Sequence, residues 1–228
     1  VVIAAAASDA TSGLAAIPTP TQSPDDAVVY HSGTYLYHYT VTAATANGLH
    51  TVTLTACDLA GNYAQASAAY NVNKNQITGA IELDGLAPTA SGFSRRVTFN
   101  ATDAAGSLLK TWVLDIPFGI GSSVSSYLLV DMPDGAVRLS AKTGWNLRRR
   151  LEIIPAGNGQ GMANFLGPGR LLGGDLNDSN TVNILDWSIL KANWFTSNPA
   201  ADVNGDGEVG LLDYIIIRSN WFSTGDDI

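Results

Sequence analysis

Cysteine is almost absent from this chain. A single residue, Cys57, among 228 excludes any intrachain disulfide framework. It lies in the run TVTLTACDLAG, where a free thiol is expected to serve as a small core residue. Charge is also scarce, at 14% of residues, while 46% are hydrophobic. That balance supports packed cores and excludes global disorder. No apolar run reaches the roughly 18 residues that a membrane helix requires, so no membrane span is expected. The opening VVIAAAASDA is short and has no positive flank, and it reads as a strand, not as a full signal peptide. Histidine occurs three times, at His31, His38 and His50, with no zinc-ligand spacing. Nucleophile-elbow, P-loop, dinucleotide-fold and zinc-protease motifs are missing, and no carboxylate pair stands out for glycosidase chemistry. These absences favour a protein that is not an enzyme.

What is present is uneven. The net charge is −8, and residues 174–228 carry nine acids (Asp175, Asp178, Asp186, Asp202, Asp206, Glu208, Asp213, Asp226, Asp227) against two bases (Lys191, Arg218). That local charge of −7 points to bound cations and away from nucleic acid. Earlier in the chain Val, Thr, Ser and Tyr are frequent, and runs such as TYLYHYTVTA and LHTVTLTA alternate with period two. The fold class expected is mainly β. Two β-sandwich domains, 1–74 and 75–169, precede a small α-helical module at 170–228.

Residues 1–74 are read as an antiparallel sandwich, with turns in IPTPTQSPDD and ATANG. The stretch from TYLYHYTVTA through the turn at Asp58, Gly61 and Asn62 to AQASAAYNV resembles the last strands of bacterial immunoglobulin-like domains. IAAAASDATSGLA resembles the second strand of such domains, which implies that the first strand is missing. Asp9 and Asp58 are read as plain turn residues, with an extra calcium site as the weaker reading. Residues 75–169 offer about seven strand candidates: ITGAIELDGL, RRVTFNATD, LLKTWVLDI, SSYLLVD, AVRLSAKT, LRRRLEII and GMANFLG. The first of these resembles the opening strand of transthyretin-like or carboxypeptidase-regulatory-like sandwiches. Arg95, Arg96, Arg148, Arg149 and Arg150 form a basic set, expected to be a solvated sheet face or a docking surface for the acidic module. Trp112 and Trp145 are expected in core or interdomain packing.

Beyond about residue 170 the period becomes helical. Trp187, Leu190 and Trp194 form one stripe, and Tyr214, Ile217 and Trp221 a second. The two halves repeat after 27 residues: Asp175 aligns with Asp202, Asp186 with Asp213, and Asn193-Trp194-Phe195 with Asn220-Trp221-Phe222. Each half opens with a twelve-residue loop patterned as an EF-hand calcium site. A hard cation takes six to eight oxygens, so alternate side chains of a tight loop converge on it. In 202–213 the ligand positions hold Asp202, Asn204, Asp206 and Asp213, the carbonyl of Glu208 fills position 7, and Gly207 makes the sharp turn at position 6. Gly210 leaves position 9 to water. In 175–186 the ligands are Asp175, Asn177, Ser179, Thr181, Asn183 and Asp186, with Asn180 at position 6. Ser179 replaces an acid, so the cofactor expected is two calcium ions, with the second site the tighter.

Residues 174–222 resemble a type I dockerin, whose paired loop–helix units lack the incoming helix of an EF-hand. The resemblance implies secretion, an extracellular or cell-surface location and a cohesin-like partner. Positions 10 and 11, which often help to select that partner in dockerins, are Ile184-Leu185 and Leu211-Leu212. They are more apolar than the usual hydroxyl pair, and are expected to meet a protein surface: a neighbouring sandwich, a cohesin-like protein or another copy of this chain. The function expected is a non-catalytic structural or assembly protein, self-assembling at the cell surface or into filaments by strand addition and dockerin-like contacts. The alternative is the C-terminal part of a larger secreted enzyme that its dockerin-like module anchors to a scaffold. Mutual repulsion of the acids implies that chelation melts residues 174–222 and leaves the sandwiches folded.

Overall fold

The computed structural model describes residues 2–7, 14, 16–21, 29–31, 34–42, 45–157 and 159–228. Asp9, the proposed partner of Asp58, lies outside the described residues. The chain divides into two compact units, Val1–Asn73 and Lys74–Ile228.

In the first unit, β1 (Val2–Ala6), β2 (Thr19–Pro20), β3 (Val29–His31), β4 (Thr34–His38), β5 (Gly48–Cys57) and β6 (Tyr63–Val72) form two three-stranded sheets. Their orders are β1-β4-β3 and β2-β5-β6. Alternation along β4 and β5 sends Tyr37, Val52 and Leu54 inward to meet Ile3 and Tyr39. The buried Tyr37 hydroxyl donates to the carbonyl of Pro18 at 2.6 Å. The Asp58 carboxylate accepts the backbone N–H of Asn62 at 2.8 Å and its side-chain amide at 2.7 Å. Gly61 takes φ 88° between them. This is an Asx-type turn. Cys57, expected in the core, is only half-buried, at the last residue of β5.

The second unit begins with β7 (Gln76–Glu82), β8 (Ser94–Thr102), β9 (Leu108–Pro117), β10 (Val124–Val130), β11 (Arg138–Lys142), β12 (Arg149–Glu152), β13 (Ile154–Gly157) and β14 (Gln160–Met162). One sheet is β10-β7-β14-β13 and the facing sheet is β12-β11-β8-β9. Two strand candidates resolve differently from their sequence reading. LRRRLEII is split into β12 and β13, which belong to opposite sheets. GMANFLG gives the short β14, parallel to β7, and Phe165 follows as an isolated bridge to Ile81. Ile77, Ile81, Val97, Phe99, Leu129, Leu139 and Phe165 fill the core. A side chain at Gly79 would collide with the carbonyl of Ala163 and the hydroxyl of Tyr127, so the close passage of β7 by that segment requires glycine.

The same unit closes with two helices, α1 (Ile184–Ala192) and α2 (Leu211–Ser219). Leu190 and Ile217 face each other in a small core with Val182, Val209 and Ala201. The second sandwich contributes Leu147 to this core. Trp187 packs on Tyr214 with ring centroids 4.9 Å apart, and Trp194 meets Trp187 edge-on. The helical stripes read from sequence therefore pack on one another. No helix among the described residues is long and apolar enough to cross a membrane.

Candidate metal centre

The two loops are built alike at the backbone. Positions 4 and 6 are left-handed in both: Asp178 (φ 60°) and Asn180 (φ 62°) in the first, Gly205 (φ 76°) and Gly207 (φ 94°) in the second. Such φ values strain most side chains, and Asn, Asp and Gly tolerate them best. Position 8 is Val182 or Val209, fully buried in each case. Each valine pairs with the segment that follows the other loop's helix. Val182 donates to Ser223 at 2.9 Å, and Val209 donates to Thr196 at 2.7 Å. Phe195 and Phe222, just after the helices, share φ 66°. The module is thus a pair of units interlocked about an approximate two-fold.

The position-12 carboxylates are buried and repeat the same bonds. Asp186 accepts from the backbone N–H groups of Leu176 (2.8 Å), Asn177 (3.2 Å) and Asn183 (2.8 Å). Asp213 accepts from Val203 (2.7 Å), Asn204 (3.1 Å) and Gly210 (2.8 Å). Each ties the loop's entry to the first turn of the following helix and favours the helix N-terminus. Asn183 also caps α1 by accepting from Leu185 at 2.8 Å, whereas Gly210 gives α2 no side-chain cap.

The position-1 carboxylates are equally enclosed. Asp175 accepts from Ser179 and Asn180, both at 2.9 Å. Asp202 accepts from Gly205 at 2.7 Å and Gly207 at 3.0 Å. At position 5, Asp206 accepts from Glu208 at 2.9 Å, and its other oxygen takes the Asn204 amide at 2.8 Å. Ser179, its counterpart, donates its hydroxyl to the carbonyl of Thr181 at 3.1 Å. Burial raises the Asp213 carboxyl above its ordinary value, and the nearby Asp202 charge adds to the rise, against three N–H bonds that lower it. Two carboxylates buried this close together are suited to a cation. Among the described residues no three His, Cys, Asp or Glu side chains gather as a metal cluster. A calcium loop does not need that, since it takes amide and carbonyl oxygens beside its carboxylates.

The second sandwich supports the loops from below. Arg95 lies on the same face of β8 as Val97 and Phe99, at the end where the core stops. It is buried between the rings of Phe93 and Trp145, with its guanidinium carbon 3.9 Å from the Trp145 centroid. It donates to the carbonyl of Asp202 at 2.5 Å, and burial lowers its pKa to about 10 while Asp202 and Asp213 oppose the fall. Asn204 accepts from the backbone of Ala87 at 2.7 Å, and Trp145 donates its indole N–H to Pro199 at 3.0 Å. Asp84 joins Arg170 (2.9 Å) to Asn220 (2.7 Å). Of the basic set, Arg148 and Arg150 meet the acidic module mainly through their backbones. Arg148 N–H donates to Asn180 and Arg150 N–H to Asp226, both at 2.8 Å. Arg96 instead pairs with the exposed Asp115, and Trp112 donates to Val130 on its own sandwich.

Sequence reading missed Asp84 and Asn220 in this contact, and Lys142, whose ammonium meets the Asp175 carboxylate at 2.7 Å. The repeat aligns Asn220 with Asn193 but does not show the bond from Asn220 to Asp84, which lies 136 residues away. Ile184, Leu185, Leu211 and Leu212 are all more than half exposed. The sandwich of the second unit does not cover them, so that expected destination is corrected. The sandwich meets the loops and leaves this end of both helices open.

A model of the dockerin type I domain matches residues 173–220. No curated protein matches the chain. Among solved structures, the major pilin subunit of Bacillus cereus aligns at 8% identity with a TM-score of 0.24, over 72% of this chain and 58% of that one. Dimeric latent PorU of Porphyromonas gingivalis aligns at 13% identity with a TM-score of 0.18, over 58% of this chain and 14% of that one. The chain thus spans less than two thirds of either protein, and likeness this slight carries no functional weight. The loops, their interlock and the family match converge: residues 173–220 form a type I dockerin-like module, a calcium-binding interaction domain of extracellular and cell-surface proteins.

Proposed function

We propose that this chain is a non-catalytic component of an extracellular assembly. Its module takes one calcium ion in each loop, with the second held more tightly. Asp175, Asn177, Ser179, Thr181, Asn183 and Asp186 would hold the first ion, and Asp202, Asn204, Asp206, Glu208 and Asp213 the second. The metal supplies charge neutralisation and fixes the loops. The chain's own part is to hold positions 1 and 12 together and to aim both helix starts outward. The observation that carries the reading is the exposure of Ile184, Leu185, Leu211 and Leu212 at equivalent places on a calcium-shaped, two-fold scaffold. Exposed apolar pairs on a rigid module favour a protein partner. That partner is a cohesin-like protein or another copy of the chain.

The measurement is binding of the full chain to a panel of type I cohesins, with self-association by light scattering and electron microscopy alongside, in calcium and in chelator. Calcium-dependent complexes or filaments are expected, abolished when Ile184, Leu185, Leu211 and Leu212 are all replaced by Ser. A chain that stays monomeric in calcium and captures no cohesin overturns the proposal. Because the module and the second sandwich are one compact unit, chelation is expected to lower a single transition of Lys74–Ile228, not to melt residues 174–222 alone.

A further inference from the structure

The two loops differ in what the sandwich places against position 1. At the second loop Arg95 reaches the carbonyl oxygens of Asp202 and Val203, while the Asp202 carboxylate accepts backbone N–H groups. At the first loop the sandwich sends an ammonium onto the ligand carboxylate itself. Lys142, the last residue of β11, is 8% exposed. Its Nζ lies 2.7 Å from Oδ2 of Asp175 and 2.6 Å from Oδ1 of Asp178. It also donates to the carbonyls of Thr143 at 3.3 Å and Asn146 at 3.4 Å. Asp175 has no exposed surface, so its charge has no solvent to screen it. Oδ2 is the oxygen shared with the Asn180 N–H, and Oδ1 takes the Ser179 N–H.

We infer that Lys142 is a built-in cation of the first loop, which holds that loop in shape without metal and weakens its grip on calcium. The inference rests on the proposal that both loops bind calcium. The physical case has two parts of opposite sign. Without metal, a buried carboxylate that loses a charged partner is strongly destabilising, so the ammonium supports the metal-free loop. With metal, a divalent ion entering beside Asp175 meets a fixed positive charge on the same carboxylate, and like charges in a poorly screened site repel. Asp178 keeps the ammonium in place from the other side. The second loop has carboxylates at positions 1, 5 and 12, and there the sandwich's cation, Arg95, bonds backbone carbonyls and not the position-1 carboxylate. The sandwich thereby sets the two affinities apart beyond what the loop residues do.

The experiment is calcium titration calorimetry of the full chain and its Lys142→Met variant, with thermal melts in chelator. Asp206→Ala, which removes a ligand of the second loop, identifies that site's heats. Lys142→Met is expected to tighten the first site at least tenfold, leave the second unchanged, and lower the chelator melting temperature of the second unit. Lys142→Gln, which keeps a donor for Asp175, guards against a folding defect and should shift both quantities the same way. A first site that is unchanged or weaker in both variants, beside normal wild-type binding, overturns the inference and spares the calcium reading. Absence of any calcium heat in the wild type overturns both.

Discussion

The two loops of the module share a backbone and differ in their charges. Positions 4 and 6 are left-handed in both, the position-8 valines pair alike, and each position-12 carboxylate accepts three backbone N–H groups. Yet the first loop has Ser179 where the second has Asp206, and it carries Lys142 on Asp175. Backbone geometry alone therefore does not set metal affinity here. It sets where oxygens stand, and the charge around them sets how strongly they hold a cation.

The largest expected effect tests what the loops share. Asp186→Ala and Asp213→Ala each strand three backbone donors and should each cost about 4 kcal/mol of unfolding free energy in chelator. Denaturant melts should show similar costs for the two. If calcium stabilises Asp186→Ala much as it does wild type but barely stabilises Asp213→Ala, the second site dominates. A reversed order would break the comparison.

Arg95→Met comes next. It removes a buried guanidinium from the carbonyls beneath the second loop, at about 2–3 kcal/mol in calcium and chelator alike. A loss seen only in calcium would mean that Arg95 acts through the metal and not through the sandwich interface.

Ser179→Asp sharpens the comparison from the other side. Restoring the acid should raise first-site affinity roughly tenfold by calorimetry. If the two sites then become equal, Lys142 contributes little to their difference.

Position 6 gives a smaller effect. Gly207→Ala places a Cβ at φ 94°, with open space around it, and should cost about 1 kcal/mol through backbone strain. The change is read as a shift in the melting temperature of the second unit.

The smallest expected effect is in pH. Asp213 is raised by burial, so its contribution to stability is fully present below the unfolded carboxyl pKa and is lost as pH rises through the folded one. In chelator, melting temperature should fall across that acid range more for wild type than for Asp213→Asn. Calcium should abolish the difference, because the metal holds the ionised form.

Much of this was legible in the sequence because it is local. The 27-residue repeat, the alternate oxygens, and Trp187, Leu190 and Trp194 on one stripe each need only the spacing of near neighbours. Alternation in β8 and β5 likewise announced its strands. The split of LRRRLEII was not legible. Its turn at Ile153 hands the chain from one sheet to the other, and that depends on packing against Val137, whose carbonyl accepts from Ile153 at 2.8 Å. Parallel pairing of β14 with β7 joins residues more than 80 apart, with no signal in either segment alone.

By itself, then, the sequence determined two oxygen-rich loops, their paired helices and a β-rich remainder, because each is written in periods of two to twelve residues. The tertiary structure decided that the acidic module is no free appendage but shares a unit with the second sandwich. It placed Lys142 on Asp175 and Arg95 under Asp202, and left the two apolar pairs uncovered. Those contacts join residues 33 and 107 positions apart. A charge acts through the space around it, so what a lysine does to a loop depends on where the fold puts it.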